Sequence, residues 1–165
     1  MPAYTQRHNV VESIIVKSLE KENVRMIRRN CSLKGVENGG QTLRPDISYI
    51  DSDGRLNVIE ITVPYGQITD GKSSLTKAAE VKFEKYRELM NTAEGTLKGK
   101  VNYYVFVVSS LGAIPEESVK SFMNFMKAST KAKQNTVYKA LRHICYQTMK
   151  ASRFIYNNAF PNKGS

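Results

Sequence analysis

Residues 44–63 read Arg44-Pro45-Asp46-Ile47-Ser48-Tyr49-Ile50-Asp51-Ser52-Asp53-Gly54-Arg55-Leu56-Asn57-Val58-Ile59-Glu60-Ile61-Thr62-Val63. Two apolar, β-prone runs, Ile47–Ile50 and Val58–Val63, flank the turn-forming Asp51-Ser52-Asp53-Gly54, so the stretch predicts a β-hairpin. Asp46 falls at the start of the first strand and Glu60 inside the second, with thirteen residues between them. Pairing across the turn brings the two carboxylates towards each other. Like charges on adjacent strands repel unless a cation bridges them. Mg²⁺ takes one or two carboxylates together with phosphate oxygens and water, and so suits such a pair. The competing reading is two ordinary surface carboxylates beside a turn. Composition alone favours it, so the decision rests on what surrounds the hairpin.

Working outward, 165 residues predict a single domain spanning 1–165 and large enough for a true core. At 41% hydrophobic and 24% charged residues the composition is globular rather than disordered. No run approaches the length of a membrane span, and Met1–Asn9 is too polar for a signal-peptide core. Cys31 and Cys145 fit neither zinc spacing nor a disulfide framework, which predicts a zinc-free protein of a reducing intracellular compartment; a nucleic-acid partner would add the nucleus in a eukaryote. Twenty-five basic residues against 15 acidic give a net charge of +10. No acidic residue follows Glu117, whereas Lys120, Lys127, Lys131, Lys133, Lys139, Arg142, Lys150, Arg153 and Lys163 all do. That asymmetry points to a polyanionic partner, most simply nucleic acid, ahead of a membrane surface.

Before the hairpin, Val10, Val11, Ile14, Ile15 and Leu19 recur at helical spacing and predict a helix from Thr5 or Arg7 to Lys21, with His8 and Glu12 on one flank. Asn23–Asn30 reads as a strand, and Leu33–Thr42, with three glycines, as a flexible loop. After the hairpin, Ile68–Ser74 reads as a polar loop and Ser74–Asn91 as a long helix on which Lys82 and Tyr86 share a face. Val101–Ser109 is nearly all apolar, which predicts a central parallel strand buried on both faces. Pro115 opens a further helix ending near Ala128. A last helix runs from Asn135 to Asn157, with Val137, Leu141, Ile144, Cys145, Met149 and Ile155 as its apolar stripe. The fold class is therefore α/β, with a mixed central sheet of about four strands flanked by helices.

This element order, with Pro45-Asp46 and Glu60 on the hairpin, resembles the restriction-endonuclease-like core of the PD-(D/E)XK nuclease superfamily. That motif usually has a Lys two residues after the second acid, where this chain has Thr62. The chain also resembles the restriction-like endonuclease domain of site-specific non-LTR retrotransposons. Arg7-His8-Asn9, Arg44-Pro45-Asp46 with Glu60, Lys82-Phe83-Glu84-Lys85-Tyr86 and Val107–Pro115 look like its motifs in the right order, over roughly Tyr4 to Tyr156. There the catalytic Lys has moved from strand to helix, and Asp usually stands where this chain has Glu60.

The resemblance implies a Mg²⁺- or Mn²⁺-dependent endodeoxyribonuclease that nicks a target site. Asp46 and Glu60 would hold the ion, with the Ile61 carbonyl as a third ligand. Lys82 would orient water or stabilise the transition state, Tyr86 would position Lys82 or contact phosphate, and Glu12 would hold a water at the metal. Arg7, His8, Arg44, Lys72 and Lys85 would contact phosphate. DNA is the implied partner, and a homodimer is left open. A Holliday-junction resolvase shares the core. A basic nucleic-acid-binding module with an inactive site is the alternative from another class, and Thr62 leaves room for it.

Overall fold

A computed structural model describes residues 3–33, 37–38, 41–42, 44–65, 68–69, 72–97 and 101–159. The elements in chain order are α1 (Ala3–Lys21), β1 (Arg28–Arg29), β2 (Glu37–Asn38), β3 (Gln41–Thr42), β4 (Ile47–Ile50), β5 (Leu56–Thr62), β6 (Ile68–Thr69), β7 (Lys72–Ser73), α2 (Ser74–Leu97), β8 (Val101–Val107), α3 (Glu116–Phe125) and α4 (Lys131–Ala159). The main sheet has the order β1-β4-β5-β8. β4 pairs antiparallel with β1 and β5, and β8 pairs parallel with β5, so the sheet is mixed as predicted. Among the described residues no helix is long and apolar enough to cross a membrane.

The alternation along β5 explains the two layers of helix. Ile59, Ile61 and Val63 join the larger core with Val11, Ile15 and Leu19 of α1, Phe122 and Phe125 of α3, and Val137, Leu141 and Ile144 of α4. Val58 points the other way and packs with Tyr86 of α2, against which Tyr103 of β8 also lies. Successive strand side chains face opposite sides, so a strand covered on both must be apolar throughout. Each fully buried aliphatic or Phe side chain contributes about 1.5–3 kcal/mol. Glu60, on the Val58 face, is the charged exception in β5 at 1% exposure.

Several expectations need correction. The Asn23–Asn30 strand shrinks to Arg28–Arg29, because Asn23, Met26 and Asn30 have φ of 62°, 56° and 49° and cannot continue extended backbone. Val24 and Ile27 still pack against the core, so apolar content was read correctly and periodicity was not. The loops at Leu33–Thr42 and Ile68–Ser74 each carry a two-residue antiparallel ladder, β2 with β3 and β6 with β7. α2 continues past Asn91 to Leu97, and α4 begins at Lys131 rather than Asn135. In the stripe of α4, Val137, Leu141 and Ile144 are buried as expected, but Met149 is 47% exposed and Thr148 and Ala151 are buried beside it.

Val101–Ser109 is not central: β8 ends the sheet order, and β5 is the strand buried throughout. Its hydrophobicity has another cause, since α2 covers one face through Tyr103 and α3 the other through Phe106 against Phe122. At its C-terminal end the outer edge meets α3. Val108 N–H bonds the Thr62 carbonyl of β5, so Val107 N–H points outward, where the Ser118 hydroxyl of α3 accepts it at 2.9 Å.

Two turns carry separate predictions. Gly112 sits at φ +85°, and a Cβ there would stand 3.0 Å from the Cys145 carbonyl and 3.1 Å from Met149 Cγ of α4. Gly112→Ala is therefore expected to destabilise the fold by about 1–3 kcal/mol. Gly54→Ala, at φ +75° in open space, should cost less than Gly112→Ala in the same thermal melt. The second turn is held by the Asp51 carboxylate, which accepts the N–H groups of Asp53 and Arg55, both at 3.0 Å, and meets Lys127 at 3.4 Å. Burial raises the Asp51 pKa, but these hydrogen bonds and the Lys127 charge outweigh it and leave it below the usual carboxylate value. A depressed folded-state pKa stabilises above the unfolded value of about 3.9 and is lost as pH falls through the folded one. Asp51→Ala should cost about 1–3 kcal/mol in urea unfolding at pH 7, and the gap to wild type should narrow at pH 3. A gap independent of pH would sink the carboxylate account.

Candidate active site

The site forms where Pro45 interrupts the β4–β5 ladder. The register pairs Ile47 with Ile59, and carried one and two residues further it sets Asp46 opposite Glu60 and Pro45 opposite Ile61. Proline has no N–H, so it cannot donate to the Ile61 carbonyl. Separately, the Ile61 N–H donates to the Asp46 side chain, at Oδ2, at 2.7 Å. Reciprocally, the Asp46 N–H donates to Glu60 Oε1 at 3.3 Å. Each carboxylate thus holds the backbone of the other's strand, and Pro-Asp is the sequence that opens this gap.

Helices on opposite faces of the sheet reach into it. From α2, Lys82 Nζ meets Glu60 Oε2 at 2.7 Å and lies 5.8 Å from the centre of the Tyr86 ring. From α1, His8 Nε2 meets Asp46 Oδ2 at 3.2 Å, and its Nδ1 lies 3.9 Å from Glu12 Oε2. Lys82 therefore lies beside Glu60, two residues before Thr62 in β5. Thr62 is buried in β5.

Electrostatics separates the two acids. Burial raises the Asp46 pKa, but the His8 hydrogen bond and charge, the Ile61 N–H and the Lys82 charge outweigh it and hold Asp46 below the usual range. Burial, followed by the Asp46 charge, pushes Glu60 up despite Lys82. For His8, burial works against the charged form, yet Asp46 and Glu12 together raise its pKa. Burial first, then the Glu60 charge and a hydrogen bond to Glu60, drive the Tyr86 phenol well above its ordinary value. Among the described residues no three His, Cys, Asp or Glu side chains form a metal cage. Two carboxylates beside a backbone carbonyl are nonetheless an all-oxygen donor set suited to a hard divalent ion, and an added cation would relieve the repulsion that raises Glu60.

The remaining predicted residues divide. Glu12 is 1% exposed and is gripped by Arg29 Nε at 2.6 Å, so it supports His8 in the wall of the site rather than facing open water. Arg7 is 4% exposed and stacks over Tyr65 at 5.2 Å. Its buried Nε lacks a hydrogen-bond partner among the described residues. Arg44 is exposed and donates to Ser32 Oγ at 3.2 Å. The side chains of Lys72 and Lys85 lie outside the described residues. Two participants were missed. Arg29 holds Glu12 from β1, and the Tyr103 hydroxyl bonds the Lys82 carbonyl at 3.1 Å while its ring packs 5.6 Å from Tyr86. A second aromatic in the strand following a Lys-Tyr helix was the available signal for Tyr103.

Sheet order and flanking helices define a mixed α/β core, with Asp46 and Glu60 meeting on its β4–β5 hairpin. No protein-family model matches the sequence, and no curated protein matches it. The fold is similar to a solved structure described as "Structure and function of phenuiviridae cap snatching endonucleases", with a TM-score of 0.51 and 12% identity. The match covers 94% of this chain and 64% of that one, so this chain spans just under two thirds of its neighbour's length. At that identity the likeness is one of fold, and it does not extend to the retrotransposon family that the four motifs resemble.

Proposed function

We propose that the chain is a metal-dependent endonuclease that hydrolyses phosphodiester bonds in DNA, nicking a target site in the manner of the retrotransposon domains its motifs resemble. The observation that carries this is the Asp46–Glu60 pair at the proline break, with Lys82 on Glu60 at 2.7 Å. Asp46, Glu60 and the Ile61 carbonyl would hold Mg²⁺ or Mn²⁺. When bound, such an ion polarises a phosphoryl oxygen and lowers the pKa of water. The residues of the chain do the rest. Lys82 places a positive charge beside the carboxylates, where it can orient an attacking water or stabilise charge developing on the phosphate. Tyr86 and the Tyr103 hydroxyl fix the stem and backbone of Lys82. His8, with its raised pKa, offers a further cation, and Arg44, Lys72 and Lys85 supply phosphate contacts.

The second reading is an inactive nucleic-acid-binding module. It draws on the same ion pairs, since Lys82 and His8 each already engage a carboxylate oxygen. Supercoiled plasmid incubated with the protein and Mg²⁺ or Mn²⁺ separates the two. The nuclease reading expects conversion to nicked circle that stops in EDTA. Plasmid that is retarded in a gel but never converted, with either ion, selects the binding module.

A further inference from the structure

We infer that the outward face of α4 is a track for single-stranded nucleic acid, with Tyr146 as its stacking platform. The inference rests on the polyanion-binding part of the proposed function and not on cleavage. Tyr146 is 58% exposed at the middle of that face. Arg142 and Lys150 lie four residues to either side and Lys139 and Arg153 seven, all exposed. At 100° per residue these five fall within one narrow stripe of the helix, about 21 Å long from Lys139 to Arg153 at 1.5 Å per residue. Phe154, 55% exposed, borders it.

The charges on this face are available in a way that others on the same segment are not. Lys120 pairs with Glu116, Lys127 with Asp51 and Asp53, and Lys133 with Glu22. By contrast, no ion pair engages Lys139, Arg142, Lys150 or Arg153 among the described residues, and no acid follows Glu117 in the chain. The core contacts of α4 are made on its opposite side, through Val137, Leu141 and Ile144, so Tyr146 lies outside the core that anchors the helix. An aromatic ring set among cations matches the needs of an unpaired strand, whose bases stack while its phosphates are neutralised. A duplex would use the cations and leave the ring idle.

The track also leads to the candidate site. Lys133, near the start of α4, pairs with Glu22 just beyond the end of α1 at 3.1 Å. Ser152, near the other end, donates to the Ser110 carbonyl beyond the end of β8 at 2.6 Å. α4 therefore runs antiparallel to α1, towards the end of the sheet where His8, Asp46 and Glu60 meet.

The test is fluorescence anisotropy in EDTA, so that cleavage does not intervene. Wild type, Tyr146→Ala, Tyr146→Phe and Arg142→Gln/Lys150→Gln are titrated against single-stranded DNA, single-stranded RNA of the same sequence, and the DNA duplex. Anionic phosphatidylserine vesicles serve as competitor. Tyr146→Ala should weaken single-strand binding by about 5- to 150-fold while changing duplex binding less than about twofold, and Tyr146→Phe should retain it. Arg142→Gln/Lys150→Gln should flatten the salt dependence by close to two phosphate contacts. Binding of either single strand supports the track, and the DNA-to-RNA ratio identifies the natural polymer. Single-strand binding indifferent to Tyr146→Ala overturns the proposal, as does displacement by vesicles that themselves bind through Tyr146. A protein that binds single strands through Tyr146 but leaves every plasmid uncut supports the track and removes only the nuclease reading.

Discussion

Asp46→Ala is expected to abolish ion-dependent plasmid nicking, with a loss on the order of a thousandfold or more, by analogy with deletion of a main electrostatic contributor to a transition state. Nucleic-acid affinity should stay the same or rise slightly, because the substitution removes one negative charge from a surface that meets phosphates. Stability should fall by about 1–3 kcal/mol, since the Asp46 carboxylate accepts the Ile61 N–H at 2.7 Å and partners His8 at 3.2 Å. Asp46→Asn separates these effects. Its amide oxygen can still accept the Ile61 N–H, so stability should recover largely, whereas a neutral amide cannot replace the carboxylate as a cation ligand. The measurement is nicking rate against thermal midpoint for the three proteins, each cleared of contaminating nuclease by a final column step. If Asp46→Ala nicks at the wild-type rate, the pair is not the catalytic centre.

How much of this was legible in the sequence follows from the range of each interaction. The hairpin was readable because its turn residues, alternation and two acids are contiguous, and the observed register, carried one pair beyond Ile47 and Ile59, sets Asp46 opposite Glu60. The Lys82–Tyr86 face was readable for the same reason, from helical spacing alone. What escaped depended on tertiary cover. Val101–Val107 is apolar because α2 and α3 cover its faces, not because strands flank it. A run buried by helices cannot be told by composition from one buried between strands. Arg29 was unreadable because it belongs to a two-residue strand that positive-φ residues bracket, and only its position in space brings it to Glu12. For Arg7 the resemblance implies a phosphate contact, and nothing local to it announces an aromatic partner. The structure places its guanidinium over Tyr65, a contact across 58 residues of chain. The fold class was thus recoverable from local pattern, while the walls of the site were set by contacts that no local pattern encodes.

Lys82→Ala should cut nicking by about 10²–10³-fold, and its effect on stability should identify what Lys82 does for the fold. Glu60 is 1% exposed, and Lys82 Nζ at 2.7 Å is its nearest described cation. Removing one member of a buried pair leaves an uncompensated charge. Because the Lys82 side chain is itself 25% exposed, water can enter beside Glu60 and limit the cost to about 1–3 kcal/mol. The pH dependence gives the sign. Glu60 already has a raised pKa in the folded protein, from burial and the Asp46 charge, and loss of the ammonium raises it further. A carboxyl whose folded pKa exceeds its unfolded value is more favourable to the fold when protonated. Its contribution is therefore fully present below the unfolded pKa and is lost as pH rises through the folded one. The stability gap between Lys82→Ala and wild type should accordingly be smallest near pH 4 and widest at neutral pH, measured as urea midpoints. Lys82→Arg should restore most of the stability, since a guanidinium can pair with Glu60, but not the full rate, since a broad planar cation cannot take the place of a compact ammonium beside a phosphate. Lys85→Ala, on the same helix, should weaken binding more than turnover. If Lys82→Arg nicks as fast as wild type, only charge is required at this position. If Lys82→Ala keeps the wild-type rate at temperatures where it is fully folded, Lys82 serves Glu60 alone and has no part in catalysis.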